Sequence, residues 1–387
     1  MRPGPATTKN REIQILRGIS IAFVLIQHYG PTLPVPHWYY RAMDATSFRS
    51  GVDLFFVISG FVISRSIAGA ALPGIRLNRS TFLRFWVRRA FRLMPAAWLW
   101  ALIVVGTSFF VSSMDFMQPA LVAKGALAGM FGYSNWIWAS CLAHHGIGSA
   151  CPNLYATSIY WSLSLEEQFY VALSIALLMV PLRAVLIGGI AAALLLHATG
   201  DDLYIYFFRF GAMVVGVGLF WLTTTNWYRP SWRLIQHAAA RRASLAFALA
   251  TIAGAASISH QHTIPIVAAA AGLAVWVCSF DATIPESRVS RAFSWVGDRS
   301  YSLYLCHLPV FIMVREVMMR AGAKGYWDSA PLIWCAVPLA IGAALLAADA
   351  TYRLVELPLS ALGRAVIDRE DVAAIAVSSA SMPPTGR

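Results

Sequence analysis

The sequence predicts an all-α integral membrane protein, a bundle of about ten transmembrane helices with both termini in the cytoplasm. Three observations support this fold class. Of the 387 residues, 58% are hydrophobic and only 12% are charged, whereas soluble domains carry roughly 25% charged residues. The mean hydropathy is +0.61. Apolar stretches of the ~20 residues that cross a bilayer recur along nearly the whole chain, which leaves no room for a separate soluble domain.

The predicted helices follow one another from the first residues onward. The apolar run that opens the chain lacks the small-residue cleavage site of a signal peptide, so we interpret it as a retained helix. The stretch from Met114 to Ala139 is also apolar, but Pro119, Lys124 and several glycines interrupt it, and we expect an interfacial or re-entrant segment there. The spanning helices are predicted at 12–30, 51–69, 95–113, 162–181, 184–198, 204–223, 244–259, 263–280, 300–320 and 330–350.

The last part of the chain differs in composition. Residues after Asp371 are rich in Ala, Ser and Pro, which predicts a disordered tail. The sequence therefore divides into a transmembrane domain at 1–370 and a C-terminal tail at 371–387. No internal repeat of fixed period is visible, so a transporter built from two matching halves gains no support.

Basic residues cluster in the short connections between the predicted helices. The positive-inside rule, by which cytoplasmic loops are rich in Lys and Arg, explains the formal net charge of +12, so no nucleic acid partner is expected. An even number of crossings puts both termini and every cluster in the cytoplasm, whereas a further crossing at Met114–Ala139 would put Arg241 and Arg242 outside. We therefore expect a multi-pass protein of the cell inner (cytoplasmic) membrane. The clusters comprise Arg2, Lys9 and Arg11; Arg76, Arg79, Arg84, Arg88, Arg89 and Arg92; Arg229, Arg233, Arg241 and Arg242; Arg288, Arg291 and Arg299; and Arg353, Arg364 and Arg369.

The five cysteines show no C-x-x-C pair and no zinc-ligand spacing, so no metal site is expected. Cys141 and Cys151 share one connection outside the cytoplasm, where they either form a disulfide or remain free thiols. Cys278, Cys306 and Cys335 lie in apolar runs and are predicted to be small core residues.

Ionisable residues inside membrane helices are costly and therefore suggest function. His28 lies near the outward end of the first helix, eleven residues after Arg17. Eleven steps of about 100° return to within about 20° of the same face, so these side chains share one stripe, ~16 Å apart along the axis. That stripe could contact ligands near both membrane surfaces. Alternatively, each side chain snorkels to its nearer interface.

Two carboxylates are expected at the depth of His28. Asp53 opens the second helix, where it either caps the helix or orients the imidazole. Ser164-x-x-Glu167 fits a capping box, which gives Glu167 a structural role at the start of its helix. Glu166 has no such explanation, and we group it with His28 and Asp53 as a catalytic candidate.

Other polar residues allow two interpretations each. Most arginines of the cluster before Pro95 mark the cytoplasmic side, but Arg89 and Arg92 share a helical face and could grip the phosphates of a donor such as coenzyme A. His307 lies in the inner half of its helix and is either functional or a buried, hydrogen-bonded side chain. His144 and His145 lie in the outer connection and are either solvated or in contact with an acceptor.

Short motifs surround these residues in order along the chain. They are Arg17-x10-His28; Gly51-Val52-Asp53-Leu54-Phe55-Phe56 with Ser59-Gly60-Phe61; Arg89-x-x-Arg92-Leu93-x-Pro95; Trp161-Ser162-Leu163-x-x-Glu166-x-Gln168-Phe169-Tyr170; Ser300-Tyr301-x-x-Tyr304-Leu305-x-His307; and Tyr352-Arg353-x-x-Glu356-x-Pro358. Together they resemble the motifs of the acyltransferase-3 family of membrane O-acyltransferases, over nearly the whole chain.

The resemblance implies transfer of an acyl group, commonly acetyl, from acyl-CoA to a hydroxyl of a glycan or of a secreted metabolite such as a macrolide. It implies that His28 is the catalytic histidine, supported by Asp53 and Glu166, and that Arg89 and Arg92 lie near CoA. We add Arg17, which shares the His28 stripe, to the donor site. His28 could act as a general base or form an acyl-histidine. Because the chain ends soon after its last helix, it resembles members without an extracytoplasmic esterase-like domain.

A transporter or flippase of a lipid-linked or small polar substrate is the alternative class, because it too would place charges inside a helical bundle. It leaves the cytoplasmic arginine pair unexplained. The expected partners are therefore acyl-CoA, a hydroxyl-bearing acceptor and membrane lipids.

Overall fold

The computed structural model describes residues 9–68, 79–114, 117–145, 155–199, 202–228, 232–255, 260–323, 327 and 329–380, and these contain helices and connections but no strand. The all-α fold class is confirmed. We number the helices α1 to α16: Arg11–Tyr29, His37–Ala45, Gly51–Ala68, Arg79–Ser108, Pro119–Met130, Ser134–His145, Tyr160–Met179, Leu182–Thr199, Asp202–Phe207, Gly211–Thr223, Ala238–Gly254, His260–Ser279, Arg288–Asp298, Ser300–Arg320, Ala330–Thr351 and Leu357–Ala380.

Six helical segments of the described chain are long and apolar enough to cross a membrane, rather than the ten predicted. They are Phe48–Ile67, Arg79–Ser108, Tyr155–Met179, Leu182–Thr199, Ser300–Arg320 and Ala330–Asp368, and shorter apolar helices add to them. The segment from Met114 to Ala139 does not form one long helix. It contains α5, whose 12 residues span ~18 Å and fall short of the ~30 Å hydrocarbon core.

Two helix boundaries differ from the prediction in ways that shape the site. α4 begins at Arg79, well before the predicted residue 95, so the arginine cluster lies on the helix and Pro95 lies inside it. The predicted helix at 204–223 is broken between α9 and α10, and Arg209 lies buried at the break. Hydropathy missed this break because the residues on either side are uniformly apolar.

Glycines allow two pairs of helices to pack backbone against backbone. A Cβ atom at Gly60 of α3 would overlap the carbonyl oxygen of Met213 in α10, and one at Gly216 would overlap that of Val57. In the same way Gly297 of α13 packs on the backbone of Gln14 in α1. Small residues at such contacts are typical of membrane helix packing, and here they fix the positions of α1 and α3, which carry His28 and Asp53.

The start of α1 is anchored by polar contacts. The side chain of Asn10 caps the helix, accepting from the backbone N–H of Ile13 at 2.8 Å. Asp281, with a φ of 53°, accepts from the backbone N–H of Glu12 at 3.0 Å. Glu12 itself is fully buried and accepts from the backbone N–H of Thr283 at 2.5 Å. These contacts satisfy groups that a helix terminus otherwise leaves unpaired.

At the other end of the chain, α16 continues to Ala380, into the segment after Asp371 that the sequence predicts to be a disordered tail. Residues 381–387 lie outside the described residues.

Candidate functional site

The side chains of His28 and His307 contact each other across the interface of α1 and α14. Nδ1 of His28 lies 3.1 Å from Nε2 of His307, and the ring centroids are 5.1 Å apart. His307 is fully buried and His28 is partly exposed. Sequence reasoning missed this contact, because the position of a residue along its own helix does not reveal how far neighbouring helices are shifted or tilted.

The hydrogen bonds of His307 determine which nitrogen carries the proton in both rings. Nδ1 of His307 lies 2.7 Å from the carbonyl oxygen of Tyr304 and 3.1 Å from that of Leu303. Because carbonyl oxygens only accept, we assign the proton to this nitrogen, and Nε2 of the neutral ring is then an acceptor. Nδ1 of His28 therefore donates to it. The lone pair on Nε2 of His28 remains available as a base.

Polar contacts hold the turn that follows His28. The hydroxyl of Thr32 donates to the carbonyl oxygen of His28 at 3.1 Å and lies 3.0 Å from the hydroxyl of Tyr155. Arg315 donates from Nη1 to the carbonyl oxygen of Thr32 at 3.0 Å, and its guanidinium lies 4.7 Å from the ring centroid of Trp327. The end of α1 is thereby tied to α14 and to the segment before α7.

A cavity of about 120 Å³ lies between α1, α3, α4, α7 and α14. The three arginines predicted to bind the donor, Arg17, Arg89 and Arg92, all line it, and so does Glu166. Arg92 is exposed, whereas Arg17 and Arg89 are partly buried. The structure thus brings together the arginines that the sequence grouped as a donor site.

Glu166 contacts this arginine group, and no hydrogen bond between Glu166 and His28 is found in the described part of the chain. One of its oxygens, Oε1, lies 3.7 Å from Nη2 of Arg89 and accepts from the hydroxyls of Ser59, at 2.5 Å, and Tyr170. The Arg89 guanidinium lies 3.6 Å above the Tyr170 ring. The predicted grouping of Glu166 with His28 thus lacks a direct contact. Glu166 lies at the level of Arg89, because α4 begins ten residues before Arg89 and carries it into the bundle.

Glu356 interacts electrostatically with Arg92 and Arg17 and lies at the end of a π turn at Tyr352–Glu356. The backbone N–H of Leu357 donates to the carbonyl oxygen of Tyr352, five residues back, and the following Pro358 has no N–H to donate. Glu356 is 4% exposed and accepts from the hydroxyl of Ser302. π turns are frequent at functional sites, and this one accounts for a motif whose role the sequence alone did not explain.

Tyr304 connects the histidine pair with the cavity. Its side chain lines the cavity, where its hydroxyl lies 2.5 Å from that of Ser162 and donates to the carbonyl oxygen of Ile159 at 2.9 Å. Its own carbonyl oxygen accepts from His307. Tyr304 thus contacts both the arginine-lined cavity and His307, while neither histidine lines the cavity itself.

Asp53 pairs with Arg209 and makes no hydrogen bond with His28 among the described residues. Nε of Arg209 lies 3.1 Å from Oδ1 of Asp53, and both side chains are buried. The guanidinium also lies 4.3 Å from the ring centroid of Tyr206 and 5.1 Å from that of Trp161. The imidazole of His28 contacts His307 in this structure, and the role predicted for Asp53 in orienting it stays a prediction.

The predicted capping box at Ser164-x-x-Glu167 is wrong. α7 begins at Tyr160, before Ser164, and has no side-chain cap. The hydroxyl of Ser164 instead accepts from the backbone N–H of Ser134 at 3.1 Å, which joins α6 to α7.

The remaining candidate histidines and the cysteines are not among the described residues that line the arginine-lined cavity. The side chains of His144 and His145, and the whole of Cys151, lie outside the described residues. Cys141 is disulfide-bonded, whereas Cys278 and Cys306 are free and buried and Cys335 is free and exposed. Among the described residues, no group of three His, Cys, Asp or Glu side chains could hold a metal ion.

Comparison with known proteins gives a consistent result. The family profile described as "Acyltransferase domain" matches residues 10–349. "Putative peptidoglycan O-acetyltransferase YrhL" of Bacillus subtilis is 27% identical over 347 residues, which cover 81% of this chain and 50% of that protein. "Peptidoglycan O-acetyltransferase OatA" of Listeria monocytogenes is 28% identical over 340 residues, covering 80% of this chain and 51% of that protein.

A third relative, "Putative membrane-bound transacylase BcsY" of Komagataeibacter xylinus, is 31% identical over 328 residues, which cover 80% of this chain and 75% of that protein. The chain thus spans about half the length of the two O-acetyltransferases and three quarters of the third relative. No solved structure matches this chain.

Proposed function

The chain belongs to the acyltransferase-3 family, and from this premise we propose that it is a membrane O-acyltransferase. It moves an acyl group, acetyl in the simplest case, from acyl-CoA to a hydroxyl of a carbohydrate-containing acceptor. The acceptor is a cell-envelope or exported glycan, or a glycosylated metabolite. That two relatives are named as peptidoglycan O-acetyltransferases supports a glycan.

The observation that carries the proposal is the contact between His28 and His307, which Tyr304 connects with an arginine-lined cavity. A free lone pair on an oriented imidazole is what general-base catalysis of acyl transfer requires. Arginines at the other side of Tyr304 supply the charge that a phosphate-bearing donor requires. A base beside a donor-binding group of arginines is what a transfer reaction requires, whereas a protein that only binds its ligand requires no base.

In the proposed reaction, Nε2 of His28 takes the proton from the acceptor hydroxyl as its oxygen attacks the thioester carbonyl. The carbon–sulfur bond then breaks, and the proton passes from His28 to the departing CoA sulfur. His307 accepts the hydrogen bond from Nδ1 of His28 and holds the ring in the tautomer that the first step needs. No other group has to change its protonation.

We assign binding of the donor to the three arginines that line the cavity. Arg92, which is exposed at the mouth of the cavity, and Arg17 face the CoA phosphates, while Arg89 is held in place by Glu166 and Tyr170. We assign the cavity of about 120 Å³ to the narrow, thioester-bearing arm of the donor. The nucleotide end stays at the cytoplasmic surface.

The direct test is incubation of the purified protein with labelled acetyl-CoA and oligosaccharide acceptors, followed by mass spectrometry of the products. We expect His28→Ala to abolish transfer and to leave CoA affinity within about twofold of wild type, since losing the base removes transition-state stabilisation rather than ground-state binding. Normal turnover in this variant would refute the role of His28. A flippase has no reason to bind CoA, so absence of CoA binding would favour the transporter alternative.

A further inference from the structure

A second polar cavity, of about 240 Å³, lies where α2, the turn Phe48–Ser50 and the first turn of α3 meet α9 and α12. Asp53 and Arg209 form part of its wall, and we call it the Asp53–Arg209 cavity. It lies at the His28 end of α1, because the backbone N–H of Arg49 in its wall donates to the side chain of Gln27, the neighbour of His28, at 3.1 Å. None of the groups used in the proposed reaction lines it.

The ion pair in this wall is incompletely hydrogen-bonded. The side chains of Asp53 and Arg209 are 4% and 3% exposed. Nε of Arg209 and Oδ1 of Asp53 face each other at 3.1 Å without hydrogen-bond geometry, and among the residues that the structure describes Nη2 of Arg209 has no hydrogen-bond partner. Buried ionic groups are costly unless their remaining donors and acceptors are satisfied. A ligand in the cavity would satisfy them.

The rest of the lining indicates what kind of ligand fits. Two arginines and two aspartates line the cavity, Arg49 and Arg209 against Asp44 and Asp53, so its formal charge is zero. The hydroxyls of Thr46 and Ser50 already donate, to the carbonyl oxygen of Ala42 and to the hydroxyl of Ser47, so they can still accept, while Ser47 adds a donor. A phosphate or carboxylate would face two like-charged aspartates. A neutral group with several hydroxyls can instead donate to the carboxylates and accept from the guanidinium groups.

We propose that the Asp53–Arg209 cavity binds one neutral sugar ring of the acceptor and thereby presents a neighbouring hydroxyl to His28. The inference rests on the proposed function for the role of His28, but the sugar site itself does not require turnover. The volume far exceeds the ~10–15 Å³ that a single water needs, so a ring-sized group can enter. Asp53 and Arg209 are then acceptor-binding residues, which explains why the Asp53 motif lies near His28 without contacting it.

The test uses the full-length protein in nanodiscs with two soluble probes, a β-linked N-acetylglucosamine tetramer and a β-linked glucose tetramer. Thr46→Trp fills the mouth of the cavity without touching the buried ion pair. Thr199→Trp is the matched control, because Thr46 and Thr199 both lie at a helix end and both donate to the carbonyl oxygen four residues back. A second variant, Ser47→Ala with Ser50→Ala, removes hydroxyls and keeps the space.

Two readouts separate the sugar site from the reaction. Saturation-transfer NMR measures tetrasaccharide binding without donor, and kcat/KM for the tetrasaccharide measures transfer. We expect the NMR signal of the bound tetrasaccharide to disappear in Thr46→Trp. Its kcat/KM should fall at least about tenfold, which corresponds to one lost hydrogen bond. Its CoA affinity, and all three quantities in the Thr199→Trp control, should equal those of wild type. The serine double variant should show a smaller loss.

Equal binding and transfer by wild type and Thr46→Trp would overturn the sugar site while leaving the acyltransferase assignment intact. Binding that is lost in Thr46→Trp, in a wild-type protein that transfers nothing, would support the sugar site and refute the proposed function. If neither tetrasaccharide binds to wild type and uronic-acid oligomers do, the neutral-sugar proposal is wrong.

Discussion

The only side chain in the described part of the chain that hydrogen-bonds the His28 ring is His307; the backbone carbonyl oxygen of Val24 also accepts from this ring. Without the acceptor at Nε2 of His307, only that backbone contact orients the ring, which can then turn or exchange its tautomer more readily. We expect His307→Ala to lower kcat by roughly 10- to 1000-fold with an unchanged KM for the donor, since the base remains but is no longer oriented.

His307→Gln separates positioning from packing. A glutamine amide can donate to the Tyr304 carbonyl oxygen and accept from His28, so this variant should recover much of the lost activity. The packing control is Phe311→Leu, because the Phe311 ring contacts His307 at a centroid distance of 5.9 Å without bonding to it. Equal loss in His307→Ala, His307→Gln and Phe311→Leu would show that His307 acts only as a core residue.

The arginines of the cavity differ in how free their guanidinium groups are. Arg92 is exposed, whereas Arg89 already contacts Glu166 and the Tyr170 ring. Arg92→Ala should therefore weaken CoA binding by about 1.5–3 kcal/mol, the value of a charge-assisted contact with phosphate. Isothermal titration with CoA measures the change. Arg88→Ala is the control, because Arg88 is exposed on the same helix and does not line the cavity. Equal losses of CoA affinity in both variants would show that Arg92 acts only through the general surface charge.

At the scale of helices, the glycine contacts make a prediction about stability. Gly216→Ala and Gly297→Ala each bring a methyl group onto a neighbouring backbone, and we expect a loss of about 1–3 kcal/mol from overpacking. Gly106→Ala should be neutral or stabilising, because no atom lies within 4 Å of the added methyl and alanine is the better helix former. Thermal unfolding in detergent compares them. Similar melting temperatures for all three variants would contradict the close packing of these helices.

Helix periodicity and hydropathy predicted much of this arrangement, but not which side chains meet. The arginine-lined cavity was predictable because Arg17, Arg89 and Arg92 lie near one membrane surface in the sequence. The partners of Asp53 and Glu166 were not, since the sequence does not show that Arg209 lies at a helix break beside Asp53 or that Arg89 lies deep enough on its helix to contact Glu166. The break at Arg209 and the π turn before Leu357 depend on tertiary packing, and a hydropathy average does not detect either.

At the scale of the whole molecule, basic segments that are far apart in sequence lie at one end of the bundle. Lys9 pairs with Asp298, and Arg11 donates to the carbonyl oxygen of Ile284. Arg241 donates to the carbonyl oxygen of Ala282 at 3.0 Å. Arg17, which lines the arginine-lined cavity, lies eleven residues nearer the basic start of α1 than His28 does. This shared end is what the positive-inside rule requires of cytoplasmic loops.

The sidedness of the bundle is therefore testable with single cysteines. In a Cys335→Ser background, which removes the exposed free thiol, Tyr40→Cys lies near the His28 end and Glu286→Cys near the basic end, and both positions are exposed. A membrane-impermeant maleimide added to intact cells should label Tyr40→Cys and should label Glu286→Cys only after permeabilisation. This outcome would put the arginine-lined cavity on the side where CoA is available and the Asp53–Arg209 cavity on the side of exported glycans. The reverse pattern would put CoA and the arginines on opposite sides of the membrane, and the proposed division into donor and acceptor sites would then have to be abandoned.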